Sequence, residues 1–313
     1  MEGYAVSAHH ARRGGGGEVH EHDLGLAHDM TVMLSRRRAL TFLGVAGAAT
    51  VAAGCAAATN GTTATSGAST TTAAAATAAA IAQETAGPYP GDGSNGPNVL
   101  IESGVVRRDI TGSFGSYSGV AHGVPMKIEL MLQDLAKSGA AGSGMAVYLW
   151  HCDRDGKYSL YSDGVTTQNY LRGVQVADAT GKVTFESVFP GCYSGRWTHI
   201  HFEVYDSLAV AVAGDNARLT SQIALPQDAC AAVYAYDSGY AKSIPNLATT
   251  SLASDNVFGD GWDAELASVS GAPASGMSVA LTVGVAEKSA NTRSDGGPGR
   301  PPGGPGGPPP QGR

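Results

Sequence analysis

The chain has 313 residues, a formal charge of -7 and only 15% charged side chains. That length admits one large or two ordinary domains, and the mildly acidic balance, with no Lys/Arg-rich stripe in the foldable part, argues against nucleic acid as a partner. Segments poor in large apolar groups cannot offset the entropy of ordering, which leaves about 200 residues for a single well-buried core.

Residues 1–32 read as an upstream extension, with Met33 or Met30 the better initiator, so the His-x-His of VHEHD (19–23) is set aside. Residues 33–55 read as an export signal: SRRR (35–38), then ALTFLGVAGAATVAAGC. A basic start, a short apolar run and small residues before a cleavage point make a signal too short to span a bilayer. The paired Arg36 and Arg37 after Ser35 resemble a twin-arginine signal. Ala52-Ala53-Gly54-Cys55 resembles a lipobox, which would lipidate Cys55 and anchor the protein outside the cytoplasm; ordinary cleavage and secretion is the alternative. Residues 56–80 are an Ala/Thr/Ser linker and 289–313 a Gly/Pro tail, both expected to be disordered. A single folded domain is expected over 81–288.

Within that domain MKIELML (126–132), MAVYLWHC (145–152), KVTFESV (182–188) and HIHFEVY (199–205) alternate with period two, as half-buried strands do. Gly and Pro punctuate the gaps, and no long amphipathic helix is evident. The expected class is all-β, an antiparallel β-sandwich core with long loops. SQIALP and MSVALTVGVA add strand-like runs in 206–285, a region otherwise without a readable pattern.

Of nine histidines, only His122, His151, His199 and His201 lie beyond the leader, and two of these fall in YSGRWTHIHF (193–202). On a strand His199 and His201 share one face while Ile200 points to the other. An isolated His-x-His is more often ordinary packing than a metal site. Here the ionisable neighbours are tyrosines, Tyr193 just upstream and Tyr158 in DGKY. Carboxylates and thiolates are not grouped with the pair as a zinc or calcium site requires. A phenolate is a hard anionic donor that suits Fe(III), and binding would ionise phenols whose free pKa is about 10. His151 reads as a strand-end residue and not as a ligand. Export permits a disulfide among Cys152, Cys192 and Cys230; Cys152 with Cys192, or Cys192 with Cys230, is the expected pair.

Gly156-Lys157-Tyr158, Pro190-Gly191-Cys192-Tyr193 and His199-Ile200-His201, in that order and spacing, resemble the ligand pattern of the intradiol ring-cleavage dioxygenases, and most of all their exported branch. GPYP (87–90) and VVRRDI (105–110) resemble the N-terminal signature of the same family, so the likeness covers about 81–226. It implies a non-haem Fe(III) held by Tyr158, Tyr193, His199 and His201, and cleavage of a catechol-type diol between its hydroxyl carbons by O2 to a muconate-type product. By family position Tyr193 is the tyrosinate that leaves and takes a substrate proton. Arg196 matches an arginine that steadies negative charge on the ring, and Gln222 a glutamine behind the ligands. On the residues alone Arg196 could instead pair with Asp153 or Glu203. The family's helical dimerisation segment is not evident, which leaves monomer or homodimer. Two other readings compete: a β-sandwich binding module that keeps the fold without the reaction, and a copper or zinc His-x-His protein.

Overall fold

The computed structural model describes residues 77–214 and 216–290. The extension, the export signal with Cys55, most of the linker and the tail from residue 291 lie outside the described residues. Strand β1 (Pro125–Asp134) pairs antiparallel with β2 (Ala140–Ala141) and β5 (Lys182–Val188) along one edge. Its other edge takes β9 (Gly276–Val285), which in turn carries β8 (Ser268–Ala272). A second sheet runs β4 (Arg172–Val176), β3 (Ala146–Trp150), β6 (His199–Tyr205), β7 (Leu219–Ala224), antiparallel throughout. The two sheets form a sandwich, as expected for an all-β chain. One pairing departs from the antiparallel pattern: β1 and β9 run parallel, with Ile128 beside Val279 and Leu130 beside Leu281.

The core lies between the sheets and follows from period-two alternation. Ile128, Leu130, Leu132, Phe185 and Val279 face Val147, Leu149, Ile200, Phe202 and Ile223, all buried. Each such side chain contributes about 1.5–3 kcal/mol by leaving water. The opposite faces of the two sheets differ. On the first sheet Lys127, Glu129 and Lys182 meet solvent. On the second, every residue of β3 and β6 is buried on both sides.

The cover over the second sheet is a strap without regular secondary structure, residues 80–117. It starts beside β9, where Ile81 N donates to the Gly284 carbonyl, crosses β7 at Glu84 and Thr220, and reaches β4 at Val106 and Val174. Val99, Leu100 and Val105 of the strap pack on Tyr148, Trp150 and Tyr205, a second hydrophobic cluster behind the sheet. The region after β6 that lacked a readable pattern holds three α-helices among the described residues: α1 (Leu208–Ala213), α2 (Gln227–Tyr236) and α3 (Ser243–Ala248). The alternating apolar run LAVAVA is helical because its ends are capped. Ser207 Oγ accepts from Val210 N, and Gly214 closes the helix at φ 73°.

Candidate metal centre

Strand β6 sets the site. Ile200 and Phe202 enter the core, so His199 and His201 turn to the face beneath the strap, with Trp150 of β3 and Gln222 of β7 directly opposite His201. Trp150 stacks on the His201 ring at 5.0 Å and 4°, which fixes the imidazole plane. The His199 ring is fixed by a hydrogen bond, Nδ1 donating to the Trp197 carbonyl at 2.6 Å. A neutral imidazole that donates from Nδ1 presents a lone pair at Nε2.

Two loops bring the tyrosines. Asp153, just after β3, folds the first: its Oδ1 accepts from the amides of Asp155 and Lys157, and its Oδ2 from the Tyr170 hydroxyl. The turn passes through Gly156 at φ +79°, where a Cβ would lie 2.9 Å from Tyr193 Cβ. Only glycine allows both the left-handed backbone and that close approach, which seats the Tyr158 loop on the Tyr193 loop.

The four polar ends converge. Tyr158 Oη lies 3.3 Å from His199 Nε2 and 3.1 Å from His201 Nε2, and Tyr193 Oη lies 3.2 Å from His199 Nε2. The two Nε2 atoms are 3.1 Å apart and the two phenol oxygens 3.5 Å apart. Separations of 3.1–3.5 Å between neighbouring donors are what a single ion allows when each donor approaches it at about 2.0 Å, a bond length from a transition metal to imidazole nitrogen or to oxygen.

Electrostatics make the same point. Burial pushes His199 well below the ordinary imidazole range, helped by Arg196, and His201 likewise through burial, His199 and Arg196. Both rings are neutral, as ligands must be. Burial holds the Tyr158 phenol well above its usual value, with Tyr193 adding to it, and pushes Tyr193 up to about 12 despite Arg196. Without a cation the phenols keep their protons; a multivalent cation at the shared centre would reverse that. The two Nε2 atoms, 3.1 Å apart, are close enough for one cation to meet both. His201 Nδ1 has no partner among the described residues. The donor set therefore fits a hard cation. No group of three or more His, Cys, Asp or Glu side chains that could hold a metal is gathered among the described residues, so a centre here depends on the tyrosines.

Arg196 flanks the centre. Its Nη2 donates to Gln222 Oε1 at 2.7 Å, and its Nε pairs with Asp255 Oδ2 at 2.9 Å. Neither Asp153 nor Glu203 is its partner; Glu203 instead accepts from the Tyr205 and Thr220 hydroxyls. Gln222 is anchored in turn, its Nε2 donating to the Thr85 carbonyl of the strap at 2.9 Å.

A family model described as Dioxygenase matches residues 115–238. Chlorocatechol 1,2-dioxygenase of Pseudomonas sp. (strain P51) is 30% identical over 141 residues, 39% of this chain and 52% of that protein. The chain thus spans about half the length of this curated relative. An intradiol ring-cleavage dioxygenase from Tetranychus urticae has the same fold at a TM-score of 0.53 and 22% identity, over 70% of this chain and 98% of that one. Over the matched stretch the chain is similar to the intradiol ring-cleavage dioxygenases.

Tyr158, Tyr193, Arg196, His199, His201 and Gln222 all lie inside the matched stretch. Asp255 does not, and sequence reading missed it. It is buried in a loop 59 positions after Arg196, where it also accepts from Trp197 N at 2.6 Å and from the amides of Val257 and Phe258. Its only sequence signal is an acidic residue in an otherwise polar loop.

The expected disulfide is not formed. Cys152, Cys192 and Cys230 are all free and buried, because each sulfur points to a carbonyl of its own: Gly191, Arg196 and Leu225 respectively. His151 is no ligand either. Its Nδ1 donates to the Cys152 carbonyl and its Nε2 meets Ser187 Oγ, each at 2.8 Å.

Proposed function

We propose that the protein is a non-haem iron enzyme that opens catechol-type diols between the two hydroxyl carbons, consuming O2 and forming a muconate-type diacid. The observation that supports this most is the convergence of two phenols and two neutral imidazoles on one point. Tyr158, Tyr193, His199 and His201 would hold Fe(III), since two phenolates favour a hard trivalent ion. When bound, that ion supplies the Lewis acidity that ionises a catechol and couples its ring to O2.

The remaining roles belong to the chain's own side chains. Tyr158 is buried, pinned at its backbone by Ser162 Oγ; it is the fixed phenolate. Tyr193 is only half-buried and stands beside exposed Ser194 and Gly195. It is the phenolate free to swing aside and accept a proton at Oη from an incoming hydroxyl. Arg196 keeps its charge, its guanidinium raised further by Tyr193 and Asp255 against the cost of burial. Held from two sides by Asp255 and Gln222, it places a fixed positive charge where the ring becomes negative, with little to reorganise during the reaction. The signal-like segment at 33–55 would put this chemistry outside the cytoplasm, where it meets external aromatic diols.

Oxygen uptake over a panel of catechols, with labelled O2 and mass analysis of the product, tests the reading. One O2 should be consumed per diol, both atoms should appear in a ring-opened diacid, and Tyr158→Phe and His201→Ala should be inactive. Uptake by those variants at the parental rate, or cleavage outside the hydroxyl carbons, would overturn it.

A further inference from the structure

Arg172, the first residue of β4, is among the largest wholly buried side chains and forms no ion pair among the described residues. A buried guanidinium without a counter-charge is costly unless all its donors are placed. Here all three nitrogens are engaged, through four of the five N–H groups. Nε donates to Ser159 Oγ at 3.1 Å and Nη2 to the Ser159 carbonyl at 3.0 Å, while Nη1 donates to the Pro90 carbonyl at 2.7 Å and to the Tyr148 hydroxyl at 3.3 Å. Tyr148 itself donates to the Pro90 carbonyl at 2.6 Å.

The two backbone points so held each adjoin one ring of a contacting pair. Ser159 follows Tyr158. Pro90 follows Tyr89, whose ring lies on the Tyr158 ring at 5.0 Å and 36°. The backbone around them is unusual. Leu160 and Leu171, which flank Ser159 and Arg172, are both left-handed at φ 74° and 57°. Leucine adopts that region only under constraint. Gly91, next to Pro90, has φ +70°, and a Cβ there would sit 2.9 Å from Arg172 Nη1. The strap therefore closes on the guanidinium as tightly as glycine permits.

We propose that Arg172 is a positioning residue. One guanidinium ties the strap segment that carries Tyr89 to the loop that carries Tyr158, holding the two contacting rings together. Lysine, a single point charge without the planar fork, cannot hold both ends. The clamp stands on geometry alone; its consequence for turnover rests on the functional reading above.

The test compares the full-length parent with Arg172→Lys, Arg172→Met and Ser159→Ala, the last removing the Nε contact together with the Ser159 Oγ bond to the Tyr170 carbonyl, leaving the other guanidinium bonds in place and guarding against a failure of the others to fold. Hydrogen exchange needs no metal: amides in 87–91 and 158–162 should exchange about tenfold faster together in the Arg172 variants, with β1 and β9 unchanged. In iron-loaded protein the phenolate-to-iron absorption should shift, and kcat/KM should fall about tenfold or more in Arg172→Lys as well as Arg172→Met. Parental exchange at either segment, uniform loosening of the whole domain, or full rescue by lysine would overturn the clamp. A parent protein without the absorption band would instead overturn the functional reading, and the exchange data alone would then decide the clamp.

Discussion

The two sheets use the same alternating pattern and put it to opposite uses. On β1, burial alternates, and the polar face carries Lys127 against Glu129, with Lys182 joining the same carboxylate from β5. Water is present there to satisfy whatever the side chains do not. On β6 the polar face is as buried as the apolar one. Every polar group on it needs a partner inside the protein, and an unpaired one costs about 1–3 kcal/mol. Glu203 is met by Tyr205 and Thr220, and Gln222 by Arg196 and the strap. The exception is the cluster of two phenol oxygens and two imidazole nitrogens, whose partners are mainly one another. A polar face sealed from water, with one set of inward-facing polar ends paired mainly to one another, is what distinguishes a site from a surface.

The contrast can be broken from the buried side. Asp255→Ala removes the buried carboxylate from Arg196 and from three backbone amides. Leaving a buried charge without its partner should cost about 3 kcal/mol, read as a lower urea midpoint, and turnover should fall together with the loss of Arg196 orientation. A variant as stable as the parent would mean that water reaches Arg196.

A second buried carboxyl, Glu265, tests the same idea through pH. It accepts from Ser221 Oγ at 2.9 Å, and burial, with Glu84, Asp260 and Asp255 adding to it, pushes its pKa up to about 8 from 4.5. A raised carboxyl pKa means that folding takes up a proton. Its contribution is present below the ordinary glutamate range and is lost as pH rises toward 8, at no more than about 1.4 kcal/mol per pH unit. Urea unfolding at pH 5 and pH 8 should therefore show the parent losing stability relative to Glu265→Gln. Parallel pH dependence of the two proteins would place Glu265 in contact with solvent.

The smallest effect belongs to the open face. Lys182→Met removes a partner of Glu129, yet the lysine side chain is 39% exposed, and surface pairs contribute about 0–1 kcal/mol. A change below 1 kcal/mol in urea unfolding is expected; a loss as large as that of Asp255→Ala would erase the distinction between the two faces.

Much of this was legible in the sequence because the relevant signals are local. Period two gave β1, β3, β5 and β6, and His-x-His on a strand puts both rings on one side. The two tyrosine turns carry their own glycines, so the Tyr158 and Tyr193 loops could be read where they stand. What escaped reading depends on distance. The parallel pairing of β1 with β9 joins segments separated by most of the domain, and no local pattern sets its register. The burial of the second polar face comes from a strap without periodicity. Asp255 acts from a loop 59 positions beyond its partner. The disulfide expectation failed for a related reason: three cysteines near one another in the fold still have their sulfurs aimed at three different carbonyls.

The central claim is that two tyrosines and two histidines hold a ferric ion. The measurement that bears on it most directly is metal content together with the visible spectrum of the purified protein, in the parent and in Tyr158→Phe, Tyr193→Phe, His199→Ala and His201→Ala. The account requires about one iron per chain and a red-brown colour from phenolate-to-iron charge transfer, altered by either tyrosine substitution and lost with the iron in the histidine variants. A colourless protein carrying stoichiometric zinc, or a spectrum indifferent to both tyrosines, would contradict it.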